Sequence, residues 1–154
     1  MKIFIPMAGK GTRLRPFTLT CPKPLLQIID KPIVEHLIDQ ISSRLTIQID
    51  EIIYILGDEA YFNSDVVSSL TLIAKKYNAK TKVYRQLDQL GTGHAIMCAE
   101  ESLEGPSIVA YADTMIQGQI SIESGVDGII WVKKVNNPSS YGVVRLDKKQ
   151  NIID

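Results

Sequence analysis

The residues best suited to chemistry lie together near the start of the chain. Ala8-Gly9-Lys10-Gly11-Thr12-Arg13-Leu14-Arg15-Pro16 sets two glycines among three cations. Glycine lets backbone amides approach an anion closely, and flanking cations supply the opposite charge. Two familiar phosphate motifs do not fit. A dinucleotide fingerprint needs a third glycine where Leu14 stands and a helix that Pro16 would interrupt, and no Gly-Lys-Ser/Thr string closes a P-loop. What remains is a cationic, glycine-containing loop extended by Pro22-Lys23-Pro24. The two prolines stiffen the chain on either side of Lys23 and lower the entropy cost of aiming its ammonium. The same residues also read as a solvated basic turn without a ligand. Charge segregation favours a polyphosphate: residues 1–29 carry Lys2, Lys10, Arg13, Arg15 and Lys23 and no acid, a net +5, against −5 for the remainder.

The elements that must position this loop follow from the apolar pattern. Five of the seven prolines fall in the first 32 residues, so the stretch after the first strand cannot be helix and reads as a long ordered loop. Ile33, Val34, Leu37, Ile38 and Ile41 recur at helical spacing with Pro32 in the first turn. Val66, Val67, Leu70, Ile73, Ala74 and Tyr77 trace a second helix, and Ala95, Ile96, Ala99 and Leu103 a third, opened by Gly91-Thr92-Gly93. Buried strands are predicted at Glu51–Leu56, Thr81–Arg85 and Ser107–Ala112, with two more at Gly128–Val135 and Val143–Leu146. Alternating strands and helices predict an α/β fold with a mainly parallel sheet covered on both faces. A strand-end Asp113 is costly without a partner, and serves as a cap or turn former as readily as a ligand.

Composition bounds the rest. With 154 residues the chain suits one domain, and 17 basic against 17 acidic side chains exclude a polybasic whole-chain partner. Cys21 and Cys98 are too few for a disulfide framework and have no metal-ligand spacing. No apolar run approaches the roughly 18–20 residues of a membrane span, and Lys10, Arg13 and Arg15 follow too soon for a signal peptide. The expectation is a soluble protein of a reducing compartment, in the cytoplasm, without membrane or nucleic-acid partners.

Gly9-x-Gly11-Thr12-Arg13-x-x-Pro16-x-Thr18, followed by Pro22-Lys23-Pro24-Leu25-Leu26, resembles the signature of the sugar-1-phosphate nucleotidylyltransferases. Gln86 to Ala95 is similar to the base-recognition segment of that family, Tyr111-Ala112-Asp113 to its metal-binding strand end, and Asn137 to Val144 to its sugar-site loop. The resemblance implies a Rossmann-like three-layer sandwich and transfer of a nucleoside monophosphate from a nucleoside triphosphate to a sugar 1-phosphate, with release of pyrophosphate. Attack is in line, so catalysis is mostly positioning and charge neutralisation, and a phosphate monoester needs no general base.

Roles then follow by resemblance. The backbone at Ala8, Gly9 and Gly11, with Thr12, would cradle the triphosphate. Arg13 would balance charge on the departing pyrophosphate, and Lys23 would bridge the α-phosphate and the sugar phosphate. Asp113 would bind Mg²⁺ together with substrate phosphates and water, although Ala112 stands where many relatives have glycine. Gln86 carries both a donor and an acceptor for a base edge, Gly91 would let the base lie close, and Thr92 lies beside it. Gln89 is either a second base contact or a surface residue, and His94 is expected to be structural. Gly142 is a sugar-contact candidate only through the resemblance, and Tyr141 reads equally as core filling. The segment leans towards UTP or dTTP.

Family members typically continue with Phe-x-Glu-Lys-Pro and a second metal-binding Asp. The resemblance therefore implies that residues 1–154 are the N-terminal, nucleotide-binding part of a longer catalytic domain, which alone would turn over little. The rival reading is a nucleotide-binding module or degenerate subunit without turnover. Oligomeric state is not legible.

Overall fold

A computed structural model describes residues 1–122, 125–149 and 151–153. The chain packs as two units, Met1–Ser121 and Ile122–Asp154.

The first unit is built on a four-stranded parallel sheet. Its strands are β1 (Lys2–Pro6), β4 (Glu51–Leu56), β5 (Lys80–Arg85) and β6 (Ser107–Val109), in the order β5-β4-β1-β6. A two-stranded hairpin, β2 (Gln27–Ile28) with β3 (Lys31–Pro32), lies between β1 and the first helix. The helices are α1 (Ile33–Ser42), α2 (Ser64–Lys76) and α3 (Thr92–Met97).

Strand period two divides the apolar residues between two cores. Ile3, Ile5, Ile52, Tyr54 and Leu56 pack with Val34, Leu37, Ile38 and Ile41 of α1 and with Leu70, Ile73 and Ala74 of α2. Phe4, Ile53 and Ile55 face the other way, against Ala95 of α3 and the following Ala99. Helices thus cover both faces of a parallel sheet, as the sequence pattern requires. Helix α2 is closed at both ends. The Asn63 side chain accepts from Asp65 N and Val66 N, and Asn78, at φ 55°, follows its last turn.

Four expectations are corrected by the backbone. The stretch after β1 is not bare loop but carries three one-turn 3-10 segments, at Thr12–Leu14, Phe17–Leu19 and Lys23–Leu25. Proline permits these because each turn is too short to need the amide it lacks. The third helix stops at Met97 and resumes as a 3-10 turn at Glu100–Ser102. There Ser102 is buried, with its hydroxyl 2.8 Å from the Tyr84 hydroxyl, and Lys2 Nζ donates to Ser102 O and Glu104 O. These contacts hold the chain in a tighter turn than a continuing helix would allow. Strand β6 ends at Val109 rather than Ala112. Lys2 N donates to Pro106 O and Ala110 N to Phe4 O. Continuing that alternation needs an N–H at Pro6, which proline does not have.

The fourth correction concerns the second unit. Neither Gly128–Val135 nor Val143–Leu146 forms a strand, and the described residues there hold one isolated antiparallel bridge, Leu146 with Ile152. Ile130, Trp131, Val132 and Tyr141 are exposed. Hydropathy marks such runs as strand, but a strand persists only where a neighbour completes its ladder.

At the hairpin tip Ile29 adopts φ 62° while 98% exposed. A β-branched residue in the left-handed region is strained, by about 1–2 kcal/mol, and no burial offsets it here. Replacing Ile29 with Asn, which tolerates that region, is expected to raise stability by about 1 kcal/mol. Urea unfolding should show a higher midpoint at unchanged slope; an unchanged or lower midpoint would refute the strain.

Candidate active site

Parallel pairing places the carboxyl ends of β1, β4, β5 and β6 on one edge of the sheet. The chain moves outward from β1 through β4 to β5, then returns to β6 on the other side of β1. The reversal falls between β1 and β6, the position where open α/β sheets form a ligand crevice.

The loop after β1 shapes that crevice. Met7 N donates to Ile55 O, and the next amides to be used inside the protein are those of Leu14 and Arg15, which donate to Gly11 O and Thr12 O. Among the described residues, the N–H groups of residues 8–13 meet no protein acceptor. Nor do the side chains of Lys10 and Arg13 meet a protein acceptor or an ion-pair partner there. A run of unpaired donors that carries unpaired cations of its own is the arrangement an anion completes. Thr12 opens the first 3-10 turn and is exposed, as is Arg13.

Gly11 fixes the loop's path. Its φ is 61°, and a Cβ there would stand 3.0 Å from Lys23 Cβ and 3.1 Å from Thr18 Cγ2. Thr18 is buried and donates through Oγ1 to Gly11 O at 2.8 Å. Glycine is therefore needed twice at this position, for its backbone and for the close approach of Lys23.

Lys23 lies in the third 3-10 turn, with Pro22 as its N-cap and its own carbonyl accepting from Leu26 N. Its ammonium meets Asp113 Oδ2 at 2.6 Å. The carboxyl of Asp113 is held below the usual carboxylate range by that hydrogen bond, which outweighs the opposing effect of partial burial. The phosphate cation and the metal candidate of the sequence thus meet in the crevice. Asp113 sits in the turn beyond β6 and is not the end of the strand itself; Thr114 N donates to Tyr111 O across that turn.

The loop after β5 brings Gln86, Gly91 and Thr92 together. Gln86 is buried, and its Nε2 donates to Gly91 O at 3.0 Å and lies 3.1 Å from His94 Nδ1. A carbonyl can only accept, so Gly91 O fixes the orientation of the amide and leaves His94 Nδ1 as the second acceptor. Both N–H donors of Gln86 are then used inside the protein, and Oε1 is the atom left to meet a ligand. His94, expected to be structural, is half-buried beside Gln86, and Gln89 is exposed. Gly91 has φ 102° and ψ 179°, a conformation essentially restricted to glycine, and it caps α3.

Gly142 lies in the second unit, in an exposed irregular stretch beside a turn closed by Tyr141 N and Pro138 O. Exposure of Tyr141 removes its reading as core filling.

Four residues that support the site carry no role in the sequence reading: Gly57, Thr18, Tyr61 and Arg85. Arg85 donates through Nη1 to Gly57 O and Phe62 O. Thr18 stands inside the quoted motif, so its spacing from Gly11 was a usable signal. The others act across 23 to 51 residues, and nothing local marks them.

The sequence model of the family described as Nucleotidyl transferase matches residues 4–154. Bifunctional protein GlmU of Methanococcus maripaludis is 32% identical over the whole chain, which covers 34% of that relative. Mannose-1-phosphate guanyltransferase of Aspergillus oryzae is 33% identical over 94% of the chain, which covers 40% of it. The chain therefore spans between a third and two fifths of these relatives' lengths. Among solved structures, a putative glucose-1-phosphate thymidylyltransferase from Bacillus anthracis aligns with TM-score 0.61 and 25% identity, over 73% of this chain and 44% of that one. A UDP-glucose pyrophosphorylase complexed with UDP-glucose aligns with TM-score 0.55 and 27% identity, over 73% and 45%.

Proposed function

The chain belongs to the nucleotidyl transferase family, and on that premise we propose that it binds a nucleoside triphosphate at the carboxyl edge of its sheet for transfer of the nucleoside monophosphate to a sugar 1-phosphate, with release of pyrophosphate. The observation that carries this reading is the run of amides 8–13 without protein acceptors among the described residues, a run that includes Lys10 and Arg13 and is followed by Lys23. The same fold in a UDP-glucose pyrophosphorylase and in a putative thymidylyltransferase supports it.

On this reading the amides of residues 8–13 hold the phosphate oxygens in place. Arg13, whose side chain meets no protein acceptor among the described residues, turns to the β- and γ-phosphates as charge develops on pyrophosphate. Lys23 reaches the α-phosphate and the incoming sugar phosphate, exchanging its contact with Asp113 for phosphate oxygens. Preorganised charge of this kind lowers the barrier because it needs no reorganisation during reaction. Asp113 fits a Mg²⁺ ligand: its carboxyl is kept ionised and stands half-exposed beside Lys23, and no group of three or more metal-ligating side chains surrounds it among the described residues. One carboxylate plus substrate phosphates is the donor set Mg²⁺ takes, and bound there it would neutralise phosphate charge.

Base choice follows from the Gln86 amide. With its donors committed to Gly91 O and His94 Nδ1, it offers only an acceptor. Uracil and thymine present an imide ring N–H to such an acceptor; the ring nitrogens of cytosine and adenine accept, so those bases can meet it only through an exocyclic amino group. This supports UTP or dTTP, with guanine, which also carries a ring N–H, as the comparison.

Calorimetry with UTP, dTTP, GTP, CTP and ATP in Mg²⁺ tests the reading, paired with an assay for pyrophosphate and nucleotide-sugar. UTP or dTTP is expected to bind tightest and CTP and ATP weakest. Binding by none of the five would overturn the function, and binding without product would favour a module without turnover.

A further inference from the structure

We infer that Tyr61 is a positioning residue for the phosphate-binding loop, acting through three carbonyl groups that its hydroxyl gathers. The inference rests on the reading that this loop holds a triphosphate. The Tyr61 hydroxyl has one proton, donated to Thr18 O at 2.7 Å, with Cys21 O at 3.2 Å and Lys10 O at 3.4 Å as the further acceptors it can reach or share with. These carbonyls come from three separate points of the loop, and none of them accepts from another donor among the described residues. A single phenol therefore ties the glycine segment at Lys10 to the turns that precede Lys23. Burial pushes the Tyr61 phenol up from its ordinary value, so it remains a donor at neutral pH.

The turn that presents Tyr61 is itself rigid. Asp58 Oδ1 accepts from Ala60 N at 2.7 Å, and Asp58 O accepts from Tyr61 N and Phe62 N. Arg85 Nη1 binds the carbonyls at both ends of the turn, Gly57 O at 2.9 Å and Phe62 O at 3.0 Å. Phe62 is buried, and its ring meets the Tyr61 ring edge-on at 5.1 Å. The turn also touches the loop at its start, where a Cβ on Gly57 would stand 2.7 Å from Ala8 O. A braced turn thus supports the loop at its first residue through Gly57 and at its middle through Tyr61. Holding donors in place before the ligand arrives removes an ordering cost from binding.

Replacing Tyr61 with Phe keeps the ring packing and deletes the hydroxyl. In nucleotide-free protein, trypsin should then cut after Lys10 and Arg13 about tenfold faster, the scale of one lost hydrogen bond in a local opening equilibrium. Affinity for UTP with Mg²⁺ should fall about tenfold. Tyr54→Phe is the control: its hydroxyl donates to Leu70 O at 3.3 Å, on α2. It should lower global stability without changing either readout. Unchanged loop cleavage in Tyr61→Phe overturns the inference. Faster cleavage with unchanged UTP affinity overturns the positioning role too, since the clamp would then be structural only. A wild-type chain that binds no triphosphate overturns the functional reading and the role of Tyr61 with it, and the nucleotide-free cleavage result tells that failure apart from a clamp that does not exist.

Discussion

Replacing Lys23 with Ala is expected to lower nucleotidyl transfer by about 10²–10³-fold, the effect of removing one preorganised charge donor from such a site. The structure says why so much rests on one ammonium. Lys23 is held in a 3-10 turn with prolines on both sides, and its Cβ packs against the left-handed Gly11 at the centre of the phosphate loop. The turn limits the backbone conformations of Lys23, so on the proposed reading less backbone entropy is lost when phosphate binds. Stability should hardly change. The pair with Asp113 is more than half-exposed on the carboxylate side, and such pairs contribute at most about 1 kcal/mol. The variant leaves Asp113 without the hydrogen bond that holds its carboxyl down, so that carboxyl should titrate nearer its ordinary value. A rate loss of only a few-fold, with nucleotide affinity unchanged, would remove Lys23 from the chemistry.

Arg13→Ala should cost a similar 10²–10³-fold in rate through a different partner. Arg13 is exposed and its side chain makes no hydrogen bond or ion pair among the described residues, so its deletion should leave the melting temperature unchanged. The loss should concentrate on pyrophosphate. In the reverse direction, the KM for pyrophosphate should rise in Arg13→Ala, whereas Lys23→Ala should act mainly on kcat. Arg13→Lys should recover part of the rate because it keeps the charge, though not the bidentate geometry. If Arg13→Ala destabilises the protein as much as it slows it, Arg13 is a structural cation and the assignment fails.

How much of this was legible in the sequence depends on how local each feature is. Strand Glu51–Leu56 and the helices through Ile33–Ile41 and Val66–Ala74 stand where the apolar runs put them, because a buried strand or helix face is written in consecutive spacing. The loop from Ala8 to Lys23 was legible for the same reason: its glycines, cations and prolines are neighbours in the chain. The run Gly128–Val135 has an equally apolar spelling, but a ladder needs a partner that spelling does not supply. Contacts across long separations were invisible. Lys23 and Asp113 stand 90 residues apart, and only the likeness to a family put both at one site, without their pairing. Tyr61 lies in a polar turn with no periodicity, and its importance exists only where three distant carbonyls converge. Gln86 shows the opposite case. Its residue type named a donor and an acceptor, and the fold used up the donor.

The central claim is that the amides of residues 8–13 are the triphosphate site, and amide chemical shifts in a nitrogen-15-labelled sample test it directly. On titration with UTP and Mg²⁺, the largest changes should fall on Gly9, Lys10, Gly11, Thr12 and Arg13, with smaller ones at Lys23 and Asp113. Saturable binding that leaves the amides of residues 8–13 unmoved while shifting residues elsewhere would contradict the account.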